Sequence, residues 1–157
     1  MTNLKAHMTN SGSHADFLGL ERFLHAQTDS VYSNVLQELK SGKKKTHWIW
    51  FIFPQLIGLG QSDFSKYYGI KSLKEAQAYW EHPVLGSRLR ECIAIVNGLN
   101  FSAVEILGNV DAGKFKSCLT LFSQVKGLSN AEILKVALEH FYAGQLDLNT
   151  LELLSRK

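Results

Sequence analysis

Cysteine is scarce in this chain, with only Cys92 and Cys118, and both stand inside apolar-periodic stretches where a free thiol behaves as a small buried hydrophobe. A disulfide framework is thereby excluded. No group of Cys and His residues has zinc-ligand spacing, and neither a Gly-x-Ser-x-Gly elbow nor a dinucleotide-binding glycine fingerprint occurs, so metal catalysis is not indicated and no cofactor is expected. Long apolar runs are missing too. Nothing approaches the roughly 20 apolar residues that cross a bilayer, and the polar stretch Met1 to Ser13 lacks the apolar centre of a signal peptide. The expected setting is the cytoplasm, with no membrane partner.

Charge of one sign is also missing, because 17 Lys and Arg residues against 14 Asp and Glu leave a net charge of only +3. Lysines alternate with acids along most of the chain. This argues weakly for an anionic partner, and nucleic acid is not the expected one; a local patch matters more than the total. With 45% hydrophobic, 11% aromatic and 20% charged residues, the chain lies far from the compositions that stay disordered. At 157 residues it fits one domain able to bury roughly two-thirds of the surface its unfolded form exposes.

Residues 1 to 15 lack periodicity and read as a flexible leader, so a single helical domain is expected over 16–157. Phe17, Leu20, Phe23 and Leu24 recur at helical spacing, and after a break at Gln27 to Asp29 a second helix presents Val31, Val35, Leu36 and Leu39, with Gly42 placed to end it. Helix starts are marked by Ser followed three residues later by Glu, a pairing that satisfies orphan N–H groups of the first turn. Ser72 with Glu75, Ser102 with Glu105, and Ser129 with Glu132 predict three such starts, the last two closed by Gly108 and Gly144. Pro83, capped by His82, predicts another, with Leu85, Leu89, Cys92, Ile93 and Val96 on its apolar stripe. Asp111 is expected to cap a helix carrying Phe115, Cys118, Leu119 and Phe122, and a last helix is expected over about 149–154. The apolar run Trp48 to Phe53 has no strand partner, so a short buried helix stopped near Pro54 is the better reading. The fold class is all-α, an irregular bundle of about seven to eight helices.

The densest stretch is His47 to Ser62, which passes from three lysines, Lys43 to Lys45, into the apolar run and then into a glycine loop. Helical geometry over 47–53 would set His47 on one face with Trp50 and Phe51, beside an aromatic wall, where its pKa is open to tuning. It then serves as a general acid or base, as a donor to an anion, or as a hydrogen-bonded histidine at the core edge. Gly58, Gly60 and Ser62 form a loop leading into a helix over 63–68 with Ser62 as its cap; its N–H groups could cradle an anion or simply make a turn. Gln55 offers an amide to a pocket or to the loop backbone. His82 stands at a helix start and Arg88 one and a half turns later, where its planar fork grips either a ligand or a protein carboxylate. Asp111, Lys114 and Ser117 repeat at spacing three, by default a solvated face. The lysines at 43–45 are by default a solvated loop too, although they could attract an anionic ligand toward His47.

These residues carry a resemblance. Arg22-Phe, Ala26-Gln27, Tyr32, His47-Trp-Ile-Trp-Phe-Ile-Phe-Pro-Gln55, Gly58-Leu-Gly-Gln-Ser62, Tyr68-Gly-Ile70 and His82-Pro-Val-Leu-Gly-Ser-Arg-Leu89 together resemble a widespread bacterial family of unknown function, DUF1810, across about residues 17 to 155. The resemblance implies a mainly helical single domain without an established activity. The calpastatin label often attached to the family implies a disordered protease inhibitor, which this much aromatic residue content contradicts. The family pattern concentrates on polar and glycine positions that match here at Gln27, His47, Gln55, Ser62, His82 and Arg88; Ile49 stands where methionine is common. By analogy only, the chain also resembles helical proteins that process ADP-ribose-like or ribosyl-phosphate metabolites, through a Gln-containing first helix and a later Gly-Arg helix.

The leading functional reading is a pocket walled by Trp48, Trp50 and Tyr68 that binds a small anionic, nucleotide-like metabolite through Gln27, His47, Gln55, Gly58, Gly60, Ser62, His82 and Arg88. An enzymatic version makes His47 or His82 the proton-transfer group of a hydrolase acting on a ribosyl or ADP-ribose-like ligand. The rival is a protein-interaction module without catalysis.

Overall fold

The computed structural model describes residues 18–157, so the expected leader and Phe17 lie outside the described residues. These contain ten helices: α1 Glu21–Ala26, α2 Asp29–Lys40, α3 Ile49–Ile52, α4 Asp63–Tyr68, α5 Leu73–Glu81, α6 Leu85–Asn97, α7 Ala103–Leu107, α8 Asn109–Ser123, α9 Glu132–Tyr142 and α10 Leu148–Ser155. The fold is all-α, with more helices than the seven to eight expected because several are a single turn or little more. Among the described residues the β-type pairing is one isolated parallel bridge between Leu56 and Ile70.

Two helices organise the packing. α8 touches α3, α5, α7, α9 and α10, while α6 touches α2, α3, α5 and α9, so α3, α5 and α9 bridge the two. α8 is buried without a break from Ser117 to Phe122, which is why it takes neighbours on every side. Aromatic rings fill the space around it: Phe53 meets Phe115 at 4.6 Å between centroids, and Tyr79 and Trp80 meet Phe122 at 5.7 and 5.8 Å. Gly86 lets α6 begin against the end of α5, since a Cβ there would lie 1.8 Å from the Trp80 carbonyl oxygen.

The helix starts follow the sequence at most positions. The hydroxyls of Thr28, Ser62, Ser72 and Ser102 accept from the backbone N–H three residues on, and only Ser102 completes the reciprocal box, with Glu105 accepting from its N–H at 2.8 Å. His82 caps as expected. Its Nδ1 accepts from the N–H groups of Val84 and Leu85 at 3.1 and 3.2 Å.

Two expected caps do not form. Ser129 and Glu132 make no box: α9 starts at Glu132 after Ala131, with no side-chain cap, Asn130 takes a left-handed φ of 59°, and the Ser129 carbonyl accepts from Trp80 Nε1. Asp111 is not a cap either. α8 starts at Asn109 directly after Gly108, whose φ of 88° makes the turn out of α7, and this puts Asp111 inside the first turn. The run at 48–53 is also shorter than the helical reading of 47–53: α3 is one turn, ended at Phe53 because a residue before proline avoids helical backbone, and His47 lies outside it.

Candidate functional site

The segment leading into α3 is set by a residue absent from the sequence-based candidates. Glu38, on α2, is buried, and its carboxylate accepts from Lys45 and Thr46 N–H at 2.7 and 3.0 Å, from Thr46 Oγ1 at 2.6 Å, from Asn34 Nδ2 at 2.7 Å and from Trp48 Nε1 at 3.0 Å. Burial pushes its pKa up, but hydrogen bonds from Thr46, Lys45 and Trp48 outweigh that and hold it at about 2. Trp48 is consequently a core residue rather than a pocket wall. His47, one position earlier, is exposed and makes no hydrogen bond to the described residues, so the aromatic wall expected beside it is not there.

The lysines at 43–45 are not uniformly solvated. The Lys44 side chain is only 7% exposed; its Nζ lies 2.9 Å from Asp111 Oδ2 and 5.0 Å from the Trp48 ring. Asp111 Oδ1 faces Lys114 Nζ at 3.7 Å, and Lys114 in turn sits 5.5 Å from the Trp50 ring. One carboxylate shared by two ammonium groups leaves a local charge of plus one against the tryptophans. Ser117, the third residue of the expected solvated face, is buried and donates to Asp147 Oδ2 at 3.1 Å, tying α8 to the start of α10.

Beyond Lys114 the rings continue outward. Trp50 meets Phe64 at 4.8 Å, Phe64 stacks on Tyr68 at 6.4 Å with planes 22° apart, and Tyr68 meets Tyr67 edge-on at 4.8 Å. Phe64 is 55% and Tyr67 60% exposed, while Tyr68 and Trp50 are half-buried. The indole Nε1 of Trp50 is buried without a hydrogen-bond partner among the described residues. α4 carries three of these rings at spacing i, i+3 and i+4, which aligns them on one face.

The glycine loop adjoins this array at the start of α4. A Cβ on Gly60 would lie 2.3 Å from Ser65 Oγ and 3.6 Å from Gln55 Nε2, so only glycine lets the loop close over these groups. Ser62 accepts from Ser65 N–H at 3.1 Å, and Gln55, though 7% exposed, makes no side-chain hydrogen bond to the described residues. Gly58 has a φ of 103° and faces α10 with Leu59, lining a cavity of about 230 Å³ with Asn149, Glu152, Leu153 and Arg156.

Gln27, His82 and Arg88 are elsewhere. Gln27 Nε2 donates to the Phe51 carbonyl at 2.6 Å and to Tyr79 Oη at 3.1 Å, while its Oε1 is buried without a partner among the described residues. Arg88 Nη1 donates to the Gln27 carbonyl at 2.6 Å, Nη2 reaches Asp29 Oδ1 at 3.3 Å, and the guanidinium lies 4.3 Å from the Tyr32 ring centre. Burial lowers the pKa of His82, and Glu21 opposes the shift. These residues join α1, α2 and α6. The structure therefore brings Gln55, Gly60 and Ser62 to the start of α4, whose last residue is Tyr68, and sets Gln27 and Arg88 in a second group that reaches Tyr68 through Phe51, whose ring meets it at 5.5 Å.

The chain matches, over residues 17–154, a family described as protein of unknown function, DUF1810. It belongs to that family. The crystal structure of the conserved hypothetical protein Rv1873 from Mycobacterium tuberculosis is similar, with 43% sequence identity and a TM-score of 0.83, over 88% of this chain and 97% of that one. No curated protein matches.

For this DUF1810 member, the chemistry at hand is stacking and ion pairing. No group of three or more His, Cys, Asp or Glu residues could hold a metal ion among the described residues, and no helix there is long and apolar enough to cross a membrane. Phe64, Tyr67 and the Lys44–Asp111–Lys114 trio were not among the sequence-derived site residues. The spacing of Phe64, Tyr67 and Tyr68 on a six-residue helix was the available signal for the rings; nothing in the sequence announced the meeting of Lys44 with Asp111, which are far apart in the chain.

Proposed function

We propose that the chain binds a small anionic, nucleotide-like metabolite at the face of α3 and α4. The planar part of the ligand stacks on Phe64 and Tyr68 beside Trp50, and its anionic part is drawn by Lys114, with Gln55 and Ser62 offering polar groups at the glycine loop. The observation that carries this reading is the contact between the exposed aromatic array and the net-positive Lys44–Asp111–Lys114 trio, since cations and π faces together favour planar anions. Gln27, Trp48, His82 and Arg88 have protein partners and support the site's frame in this reading. The two free buried cysteines suit a reducing compartment such as the cytoplasm.

Binding without catalysis is favoured over the hydrolase reading. His82 Nδ1 is taken up by Val84 and Leu85, and exposed His47 makes no hydrogen bond to the described residues that would orient a proton. Titration with AMP, ADP-ribose and ribose 5-phosphate, followed by tryptophan fluorescence, tests the proposal. Saturable quenching by the two nucleotides is expected, weakened about tenfold by Phe64→Ala and reduced by Lys114→Ala. A flat response to all three ligands would overturn it.

A protein-interaction module is the second reading, favoured by exposed Phe101, Val104 and Val110 at α7 and the start of α8. Sedimentation velocity of the wild type and Val110→Asp tests it: a self-associating species that the substitution removes supports it, and a monomer unaffected by the change counts against it.

A further inference from the structure

We infer that the surface of α4 and the first turn of α5 binds single-stranded nucleic acid, with successive bases stacked on Phe64 and Tyr67. The inference rests on the reading of Phe64 as a stacking surface and extends it from one base to a strand. The small ligand takes Phe64 with Tyr68, which leaves exposed Tyr67 as a further platform. Phe64 and Tyr67 are each more than half exposed, and half-buried Tyr68 touches both, at 6.4 and 4.8 Å, so it holds two accessible rings at neighbouring positions.

The backbone beneath them is firmly fixed. Arg22 donates to the Tyr67 carbonyl at 2.8 Å and the Gly69 carbonyl at 2.9 Å while pairing with buried Glu75 at 2.8 Å, so the rings are presented from a held turn. A Cβ on Gly69 would lie 2.7 Å from Ile57, and the Ile57–Ile70 hydrogen bond at 2.8 Å closes the same junction. Exposed rings on a rigid support lose little freedom when a base covers them.

Charge selects the partner. Lys66, Lys71 and Lys74 are exposed in this segment and pair with no carboxylate among the described residues. The acids nearby do not cancel them: Asp63 is one charge, and the Glu75 carboxylate is committed to Arg22 and to the Lys71 N–H at 2.7 Å. One exposed lysine between the two rings in the chain and two more just after them suit a phosphate backbone whose bases are free to stack, and a duplex, whose bases are already stacked on each other, cannot use the rings. An apolar peptide would gain nothing from the lysines.

Fluorescence anisotropy of the full chain with a labelled 12-nucleotide oligothymidylate, its RNA counterpart and a duplex of equal length tests the inference, alongside titration with AMP. Single strands are expected to bind at least about tenfold more tightly than the duplex, with Phe64→Ala and Tyr67→Ala each costing about tenfold or more. Replacing Lys66, Lys71 and Lys74 by Gln should flatten the dependence of log affinity on log salt by about 0.7 for each phosphate that is no longer neutralised. Circular dichroism confirms that each variant is folded. AMP binding with no oligonucleotide binding overturns the inference and leaves the small-ligand reading standing, whereas the absence of both overturns the two together. Strand binding that survives both aromatic substitutions also overturns it, as does a dimer in which Phe64 and Tyr67 are covered.

Discussion

The indole Nε1 of Trp48 donates to the Glu38 carboxylate at 3.0 Å, and through that hydrogen bond a buried acid on α2 fixes the entry into the aromatic half of the molecule. The same carboxylate satisfies the N–H groups of Lys45 and Thr46, so the backbone of the lysine segment and the depth of Trp48 have one common anchor. Removing it would leave several buried donors without acceptors.

Glu38→Gln should therefore lower unfolding stability at neutral pH by about 2–4 kcal/mol, read from urea denaturation, because an amide nitrogen would face N–H donors. The pH dependence has a definite sign. The folded pKa, about 2, lies below the ordinary value of 4.5, so this stabilisation is complete above about 4.5 and disappears as pH falls toward 2. Between those limits the wild type should lose stability more steeply than Glu38→Gln. Parallel profiles would show that the carboxylate is not responsible.

Arg88 joins three elements through the Gln27 carbonyl, Asp29 and the Tyr32 ring. Arg88→Lys keeps the charge but loses the planar fork and the stacking, so it should destabilise nearly as much as Arg88→Ala, by about 2 kcal/mol in chemical denaturation. Full retention of stability in the lysine variant would mean that charge alone suffices.

Two glycines within helices should respond oppositely to alanine. Gly86→Ala places its methyl 1.8 Å from the Trp80 carbonyl oxygen and forces α5 and α6 apart, costing at least about 2 kcal/mol. Gly113, in the interior of α8, has nothing within 4 Å of such a methyl, and Gly113→Ala should gain about 0.5–1 kcal/mol from helix propensity. Thermal unfolding of the pair checks both signs, and a destabilised Gly113→Ala would refute the second.

Both thiols should be inert in the native state. Burial pushes the Cys92 thiol up to about 12 despite a hydrogen bond with Tyr32 Oη at 3.8 Å, and it pushes Cys118 well above the ordinary range. With a chromogenic disulfide reagent at pH 8, no release is expected until urea unfolds the chain, and then both cysteines react. Rapid native release of even one equivalent would contradict this burial.

The helical class, most of the start signals and the α4 span were legible in the sequence because they depend on neighbours a few residues away. Ser62 could be read as a cap since its hydroxyl needs only the N–H of Ser65. Ser129 could not, because Asn130 takes a left-handed backbone and the Ser129 carbonyl meets Trp80, a partner far along the chain. Family membership was legible too, as a combined pattern of residues whose purpose the sequence left unstated.

The tertiary structure alone decided which of the singled-out residues meet. Trp48 and Trp50 are two positions apart, yet one is drawn inward by Glu38 and the other outward to Phe64, because a four-residue helix between a pinned segment and Pro54 points its side chains to opposite surroundings. Likewise Lys44 leaves the company of the solvated lysines because α8 brings Asp111 to it. Local chemistry wrote the helices; the long-range closing of buried hydrogen bonds and ion pairs chose the face they share.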